Sequence, residues 1–95
     1  MQPDLAVHAR RNTAATPDGP KVGLVVAKSV GGSVQRHRVA RRLRHAARTV
    51  LDELEPSDRI VIRARPSSRH AISARLEQQL RVALVKAHML AEVRQ

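Results

Sequence analysis

The spacing of apolar and polar residues divides the chain into strand-like and helix-like segments. Residues 4–11 alternate between apolar and polar side chains, which predicts a strand. Residues 21–28 are β-branched and apolar on both faces, which predicts a buried central strand. Residues 59–65 alternate between apolar and mostly basic side chains and predict a strand with one basic, solvent-facing side. We expect the first two strands to pair as a hairpin across a loop at residues 12–20.

Two further segments repeat apolar residues at the spacing of an α-helix. The first begins at Ser33, whose hydroxyl is expected to cap it, and runs to about Glu53. The second begins at Ser73 and runs to about Val93. The apolar stripes consist of Val39, Leu43, Ala46, Ala47 and Val50 in the first helix, and of Leu76, Leu80, Leu84, Ala87 and Leu90 in the second.

The predicted elements follow the order β-β-α-β-α, which indicates an α+β fold. Because both helices must bury an apolar stripe, we expect a small two-layer sandwich with both helices packed on one face of a small sheet. The chain has 95 residues, enough for a single domain over 1–95, with 1–3 and 94–95 loose. The predicted core consists of Val22, Leu24, Val26, Leu43, Val50, Ile60, Ile62, Leu76, Leu80 and Leu84.

The formal net charge of +10 indicates that the domain has a basic binding surface. Between residues 33 and 48 the first helix carries Arg and His side chains but no acid. Like charges three or four residues apart destabilise a helix, so this run favours a polyanionic partner over a merely solvated face. Guanidinium groups bind phosphate oxygens in pairs. The basic residues of the helix are Arg36, His37, Arg38, Arg41, Arg42, Arg44, His45 and Arg48.

A second basic surface is expected on the face of the sheet that the helices leave open. His8 and Arg10 lie on that face of the first strand, and Arg63 and Arg65 on that face of the third. We expect this face and the basic helix beside it to form a positive concavity along which a single nucleic-acid strand runs.

Composition excludes several kinds of chemistry. The chain has no Cys, Phe, Tyr or Trp, which excludes disulfides, thiol catalysis and aromatic base stacking. Its histidines and carboxylates are scattered, so we predict no metal site and no catalytic site of the protein's own. With no apolar run long enough to span a bilayer and no signal-peptide core, we predict a cytoplasmic location.

Three blocks of sequence together resemble the bacterial ribonuclease P protein subunit. KVGLVVAKSVG at residues 21–31 is followed by Val34 and, at the family's spacing, by RHRVARRLR at residues 36–44. RIVIRARP at residues 59–66 is similar to the family's third-strand block, and the final helix also fits. The resemblance covers about Leu5 to Leu90.

The resemblance implies a function for the basic surfaces. In this family a catalytic RNA with Mg²⁺ removes the 5′ leader of precursor tRNA, and the protein assists. By position, Arg36, Arg38, Arg41 and Arg44 would face the RNA subunit, with Lys28 beside them. The open sheet face would hold the leader. Mg²⁺ would act through the RNA subunit, and the partners would be that RNA and precursor tRNA, with no membrane and no obligate protein partner. The family's βαβ crossover is left-handed, a rare arrangement.

The chain departs from the family pattern at three places. His37 stands where the family has Asn, and Ala40 where it usually has Lys. The family's first helix, which lines the leader cleft, is expected to be missing, because the chain begins near the first strand.

Two other readings of the basic helix remain open at this stage. Val34–Arg48 also resembles the recognition helix of a DNA-binding regulator. A basic amphipathic helix can also associate with a membrane surface, although the absence of aromatic residues makes this anchoring weak.

Overall fold

The structure of the chain is a computed structural model that describes residues 2–11, 19–87 and 89–90. Its elements follow the predicted order β-β-α-β-α and form the predicted α+β fold, with two helices against one three-stranded sheet. Short 3₁₀ segments precede the first helix at Lys28–Val30 and the second at Pro66–His70. The main elements are β1 (Leu5–Arg11), β2 (Lys21–Val25), α1 (Ser33–Leu51), β3 (Asp58–Ala64) and α2 (Ser73–Lys86).

Strand β3 lies in the middle of the sheet, and the predicted hairpin between β1 and β2 is wrong. The strand order is β1-β3-β2, with β1 antiparallel and β2 parallel to β3. Ile60 and Ile62 of β3 are 2% and 0% exposed, as expected for the helix-facing residues of the central strand. An apolar pattern shows that a strand is buried, but it does not show which strand lies next to it.

Strand β2 is an edge strand, so its prediction as a buried central strand over residues 21–28 is also wrong. The strand ends at Val25, and its burial alternates along its length. Val22 and Leu24 point towards the core but are only partly buried, while Val25 on the other face is 38% exposed. Among the described residues, no strand pairs with the other flank of β2, which is why its apolar side chains keep contact with solvent.

Helix α1 is the crossover between the parallel strands β2 and β3, as expected for a βαβ unit. The left-handed sense of this crossover stays a prediction. Seven of the ten predicted core residues are fully buried in one cluster with residues of both helices. The other three, Val22, Leu24 and Val26, pack against that cluster from the edge of the sheet.

The start of α1 differs from the prediction. Gly32, not Ser33, is the N-cap residue, and the Ser33 hydroxyl makes no capping hydrogen bond. Instead, the backbone N–H of Gly32 donates to Oε1 of Gln35 at 3.3 Å. The helix ends at Leu51, two residues before the predicted end at Glu53.

Helix α2 is shorter than predicted at its C-terminal end. Its N-cap is Ile72, and it ends at Lys86 rather than near Val93. The chain turns there, because the backbone N–H groups of Met89 and Leu90 both donate to the carbonyl of Leu84, at 2.9 and 3.4 Å. Leu90 is still buried, but from outside the helix. His88 and residues 91–95 lie outside the described residues, as do Met1 and 12–18.

The buried carboxylate of Asp4, just before β1, connects the start of that strand to α2 through hydrogen bonds. Asp4 is 3% exposed and accepts hydrogen bonds from Ser67 Oγ at 2.6 Å, Arg75 Nε at 2.7 Å and Gln79 Nε2 at 2.6 Å. Its backbone N–H donates to Oε1 of Gln79 at 3.0 Å. Burial alone would raise the pKa of Asp4, but the hydrogen bonds from Ser67, Gln79 and Arg75, with the charge of Arg75, bring that pKa below its ordinary value of 3.8.

This network predicts a pH-dependent loss of stability in acid. Because the folded-state pKa of Asp4 is lowered, its contribution is present above the ordinary pKa and is lost as the pH falls through the folded pKa. We expect Asp4→Asn to lower the free energy of unfolding at pH 7 by about 1–3 kcal/mol. The difference from the unsubstituted protein should shrink below about pH 4. Urea unfolding measured across this range tests it.

Asp52→Asn is the matched control for this prediction. Asp52 is exposed at the C-terminal end of α1. Its replacement should change the free energy of unfolding by less than about 0.5 kcal/mol at either pH. Equal effects of the two substitutions would contradict a special role for Asp4.

Candidate nucleic-acid interface

Helix α1 presents its basic residues to solvent because its apolar stripe is buried in the core. The five predicted stripe residues are the buried residues of the helix. This packing fixes the orientation of the helix, so that its opposite arc faces solvent. His37, Arg38, Arg41, Arg44, His45 and Arg48 are exposed, whereas Arg36 and Arg42 are half-buried.

Most of the arginines of α1 have no partner within the described part of the chain. The side chains of Arg36, Arg38, Arg41, Arg44 and Arg48 make no hydrogen bond and no ion pair with any described residue. Arg42 is the exception in this run, since its Nη1 donates to the carbonyl of Ala71 at 3.1 Å. A row of unneutralised guanidinium groups on one rigid helix is suited to bind several phosphates at once.

Three arginines outside α1, Arg59, Arg75 and Arg81, are used differently. Arg75 pairs with the buried Asp4, and Arg81 of α2 pairs with Glu53 at 2.8 Å. The second contact explains how an acid is tolerated just beyond the end of α1, where the helix dipole disfavours it. Arg59 donates to backbone carbonyls, including that of Gly19 at 3.3 Å. These cations hold the fold together and are not free for a ligand.

Several grooves lie beside the basic ridge of α1, the row of side chains formed by Arg38, Arg41, Arg44 and Arg48. The first, which we call the α2 groove, lies against the start of α2. It is lined by Arg38, Arg41, Arg42, His45 and Ser73. The contribution of Ser73 was not predicted as part of a site, because its position beside α1 depends on how the helices cross.

The second groove, which we call the β2 groove, runs between α1 and the edge strand β2. It is lined by the apolar side chains Leu24, Val26 and Ala40 and by the basic side chains Arg36, His37 and Arg44. Leu24 and Val26 were predicted as core residues. They line a groove because the edge position of β2 leaves one of its sides uncovered.

A third groove, the sheet groove, lies on the opposite face of the sheet. His8, Arg63 and Arg65 line it, together with Val25 of β2 and Ser29. The expected open basic face is therefore present, and Val61 in its centre is 40% exposed. Arg10 is also exposed but lies farther along β1, opposite Arg59 in the strand register.

The sheet groove and the basic helix do not form one concavity, so that part of the prediction is wrong. Ile60 and Ile62 face α1 across the core, while Val61 and Arg63 face the other way. The basic helix and the sheet groove therefore lie on opposite sides of β3. The wall of the sheet groove comes from residues 27 and 29, next to the exposed Lys28. RNA binding by the predicted residues of both surfaces stays a prediction.

The structure rules out the helix-turn-helix interpretation. A DNA-binding regulator of that type needs a helix before the recognition helix. Lys21–Val25 is instead a strand, followed by one 3₁₀ turn. Within the described residues, no group of three His, Asp or Glu side chains could hold a metal ion, and no helix could cross a bilayer.

The comparisons with known proteins agree with each other. The ribonuclease P family model matches residues 1–88. The chain is 65% identical over 81 residues to the ribonuclease P protein component of Mycobacterium avium, covering 83% of this chain and 68% of that protein. It is 60% identical over 83 residues to that of Mycolicibacterium vanbaalenii, covering 87% and 70%. The fold is similar to the RNase P protein of Staphylococcus aureus, with a TM-score of 0.79 and 19% identity, covering 95% and 80%.

The start of α1 yields a prediction about Gly31. Gly31 has a φ of 153° and a ψ of −167°, a region that is essentially restricted to glycine, and a Cβ there would collide with the Gln35 side chain. We expect Gly31→Ala to lower the free energy of unfolding by about 1–3 kcal/mol. Thermal and urea unfolding measure this loss.

Gly32→Ala is the control, because Gly32 has a φ of −69° and a Cβ there meets no atom within 4 Å. It should cost only a few tenths of a kcal/mol, or roughly 1 at most. A larger loss of unfolding free energy for Gly32→Ala than for Gly31→Ala would contradict the conclusion that position 31 requires glycine.

Proposed function

The chain belongs to the bacterial ribonuclease P protein family, and on that premise we propose that it assists a catalytic RNA in removing the 5′ leader of precursor tRNA. Members of this family are the protein component of a tRNA-processing ribonucleoprotein. The observation that carries the proposal is the set of α1 arginines that make no hydrogen bond or ion pair with any described residue. They form the surface through which we propose that the protein holds the RNA subunit.

The electrostatics of α1 support this assignment. Repulsion among Arg38, Arg41 and Arg44 is not relieved by any acid in the helix, since residues 33–51 contain neither Asp nor Glu. Phosphates placed over the ridge would remove that repulsion and release counterions, which is the usual source of affinity for nucleic acid. His37 and His45 supply further donors between the arginines.

We assign the leader of precursor tRNA to the sheet groove. Arg63 and Arg65 supply charge there, and His8 supplies a flat ring beside the apolar Val25. A single strand fits such a surface, because its phosphates can follow the cations while its bases rest on the apolar part. The Nε of Arg65 is buried without a hydrogen-bond partner, so this donor remains for a ligand that reorients the side chain.

Within the described residues, no group of three His, Asp or Glu side chains is arranged to hold Mg²⁺. This ion prefers carboxylate oxygens in an open octahedral site. Asp4 is enclosed by its hydrogen bonds, and Asp58 is fully buried and accepts from the backbone N–H of Glu55 at 2.9 Å. We therefore propose that the catalytic metal ions are held by the RNA and that the protein supplies neutralising charge. The absence of an obligate protein partner and the cytoplasmic location stay predictions.

The α1 ridge predicts a salt-dependent binding signature. If Arg38, Arg41 and Arg44 each contact a phosphate, replacing one by Ala should lower the slope of log affinity against log salt by about 0.7–0.9. Affinity for the catalytic RNA measured at several salt concentrations gives this slope. Lys86→Ala is the control, because this exposed cation lies on α2. An equal change for Lys86 would mean that the charge acts as a diffuse cloud.

Cleavage assays test the proposed function directly. We expect the protein to lower the Mg²⁺ concentration that a cognate catalytic RNA needs for leader removal, because its cations offset phosphate repulsion that Mg²⁺ otherwise screens. We expect that the protein without RNA does not cleave, since the described residues contain no group of three His, Asp or Glu side chains that could hold a catalytic metal ion. Cleavage by the protein alone would refute this division of labour.

A further inference from the structure

The β2 groove has an apolar part, which a surface that binds only phosphates does not need. Its floor is apolar, formed by Leu24, Val26 and Ala40, and its rim is basic. The cavity volume is about 280 Å³, close to the lower end of the roughly 300–1,000 Å³ of small-molecule sites. Phosphates alone would leave this floor in contact with water, so the groove is shaped for a ligand with an apolar part.

Arg36 adds a hydrogen-bond donor that the protein does not satisfy. Its side chain lines the groove, and its Nε is buried without a partner. No described residue makes a hydrogen bond or ion pair with this guanidinium. Because a buried donor without an acceptor is unfavourable, a ligand that brings an acceptor removes that cost, and the side chain can turn towards it without breaking a protein contact.

The groove is also continuous with the ridge of α1. Arg44 lines both this groove and the neighbouring cavity that Arg48 and Leu51 enclose with β2. A polyanion lying along the ridge therefore passes directly over the groove. Arg44 and His37 at the rim are placed to meet the phosphates of that polyanion on either side of the floor.

We propose that the β2 groove binds one unpaired nucleotide of the catalytic RNA. This proposal rests on the proposed function. The base lies on Leu24, Val26 and Ala40, an acceptor on its edge meets Arg36, and the flanking phosphates meet Arg44 and His37. A paired nucleotide does not fit this description, because its faces are stacked and its edge is engaged. Aliphatic contacts replace the aromatic stacking that this chain, with no Phe, Tyr or Trp, does not offer.

Position 40 is the residue that makes the groove possible. Ala40 is half-buried on the side of α1 that faces β2. The sequence block that this chain resembles usually has Lys there, and a long side chain would fill the floor. The same position thus offers two tests that separate shape from charge.

The first test uses Ala40→Leu and the cognate catalytic RNA. Leu fills the groove, keeps the charge and favours the helix. We expect at least a tenfold loss of affinity with an unchanged salt slope, because the phosphate contacts remain. Chemical probing of the RNA should show one unpaired nucleotide that the unsubstituted protein protects and that Ala40→Leu leaves reactive. Ala74→Leu, an exposed position in α2, is the matched control and should change neither result.

The second test uses Ala40→Lys, which fills the groove but adds a positive charge. A surface that works by charge alone would bind the RNA more tightly with this substitution. We expect instead that protection of the unpaired nucleotide is lost. This variant also keeps the proposal testable if Ala40→Leu does not fold, as far-ultraviolet circular dichroism would reveal. Tighter binding with the protection retained overturns the proposal.

The outcomes separate the groove from the proposed function. If Ala40→Leu keeps both full affinity and the protected nucleotide, the groove proposal is wrong while RNA binding by α1 stands. If the unsubstituted protein shows no affinity for the catalytic RNA, the proposed function itself fails. A peptide of alternating glutamate and leucine is the remaining probe. If Ala40→Leu abolishes binding of this peptide but leaves RNA binding unchanged, the groove serves an acidic protein partner and the proposal is overturned.

Discussion

Strand β3 is the constraint on which the rest of the structure depends. Its residue Ile62 lies opposite Val7 of β1 on one side and Leu24 of β2 on the other. Because β2 runs parallel to β3, the chain must return to the starting end of the sheet before β3 can begin. Helix α1 makes that return, and its apolar stripe is buried on the sheet as a result. The direction of the basic ridge therefore follows from strand pairing.

The sequence predicted the helices and strands better than it predicted which strands lie next to each other in the sheet. The stripe of α1 and the alternation of β3 are local patterns with clear periods, and the structure confirms both. The position of β2 at the edge was not predictable in this way, because an apolar run reads the same in a central strand and in an edge strand with a groove beside it. The early end of α2 was missed because the apolar Leu90 continues the helical spacing after the helix has stopped.

The candidate site shows the same limit. The composition of α1 was enough to identify a basic ridge, since a helical wheel needs only sequence. Which of its arginines lack partners depends on groups far away in the chain, such as the backbone carbonyl of Ala71, which accepts a hydrogen bond from Arg42. The separation of the sheet groove from the ridge likewise depends on the face of β3 that α1 covers. Two basic surfaces were predictable from the sequence, but their relative position was not.

The opposed placement of the two surfaces has a consequence for how tightly each must bind. Once the ridge of α1 holds one RNA segment, a second segment meets the sheet groove at an effective concentration in about the millimolar range, provided the RNA can reach around the sheet. Under that condition neither surface needs high affinity of its own. If the sheet groove binds the leader as proposed, it can then exchange one leader for the next while the domain stays attached through α1. The two faces of a single strand would in that case separate a lasting attachment from a transient one.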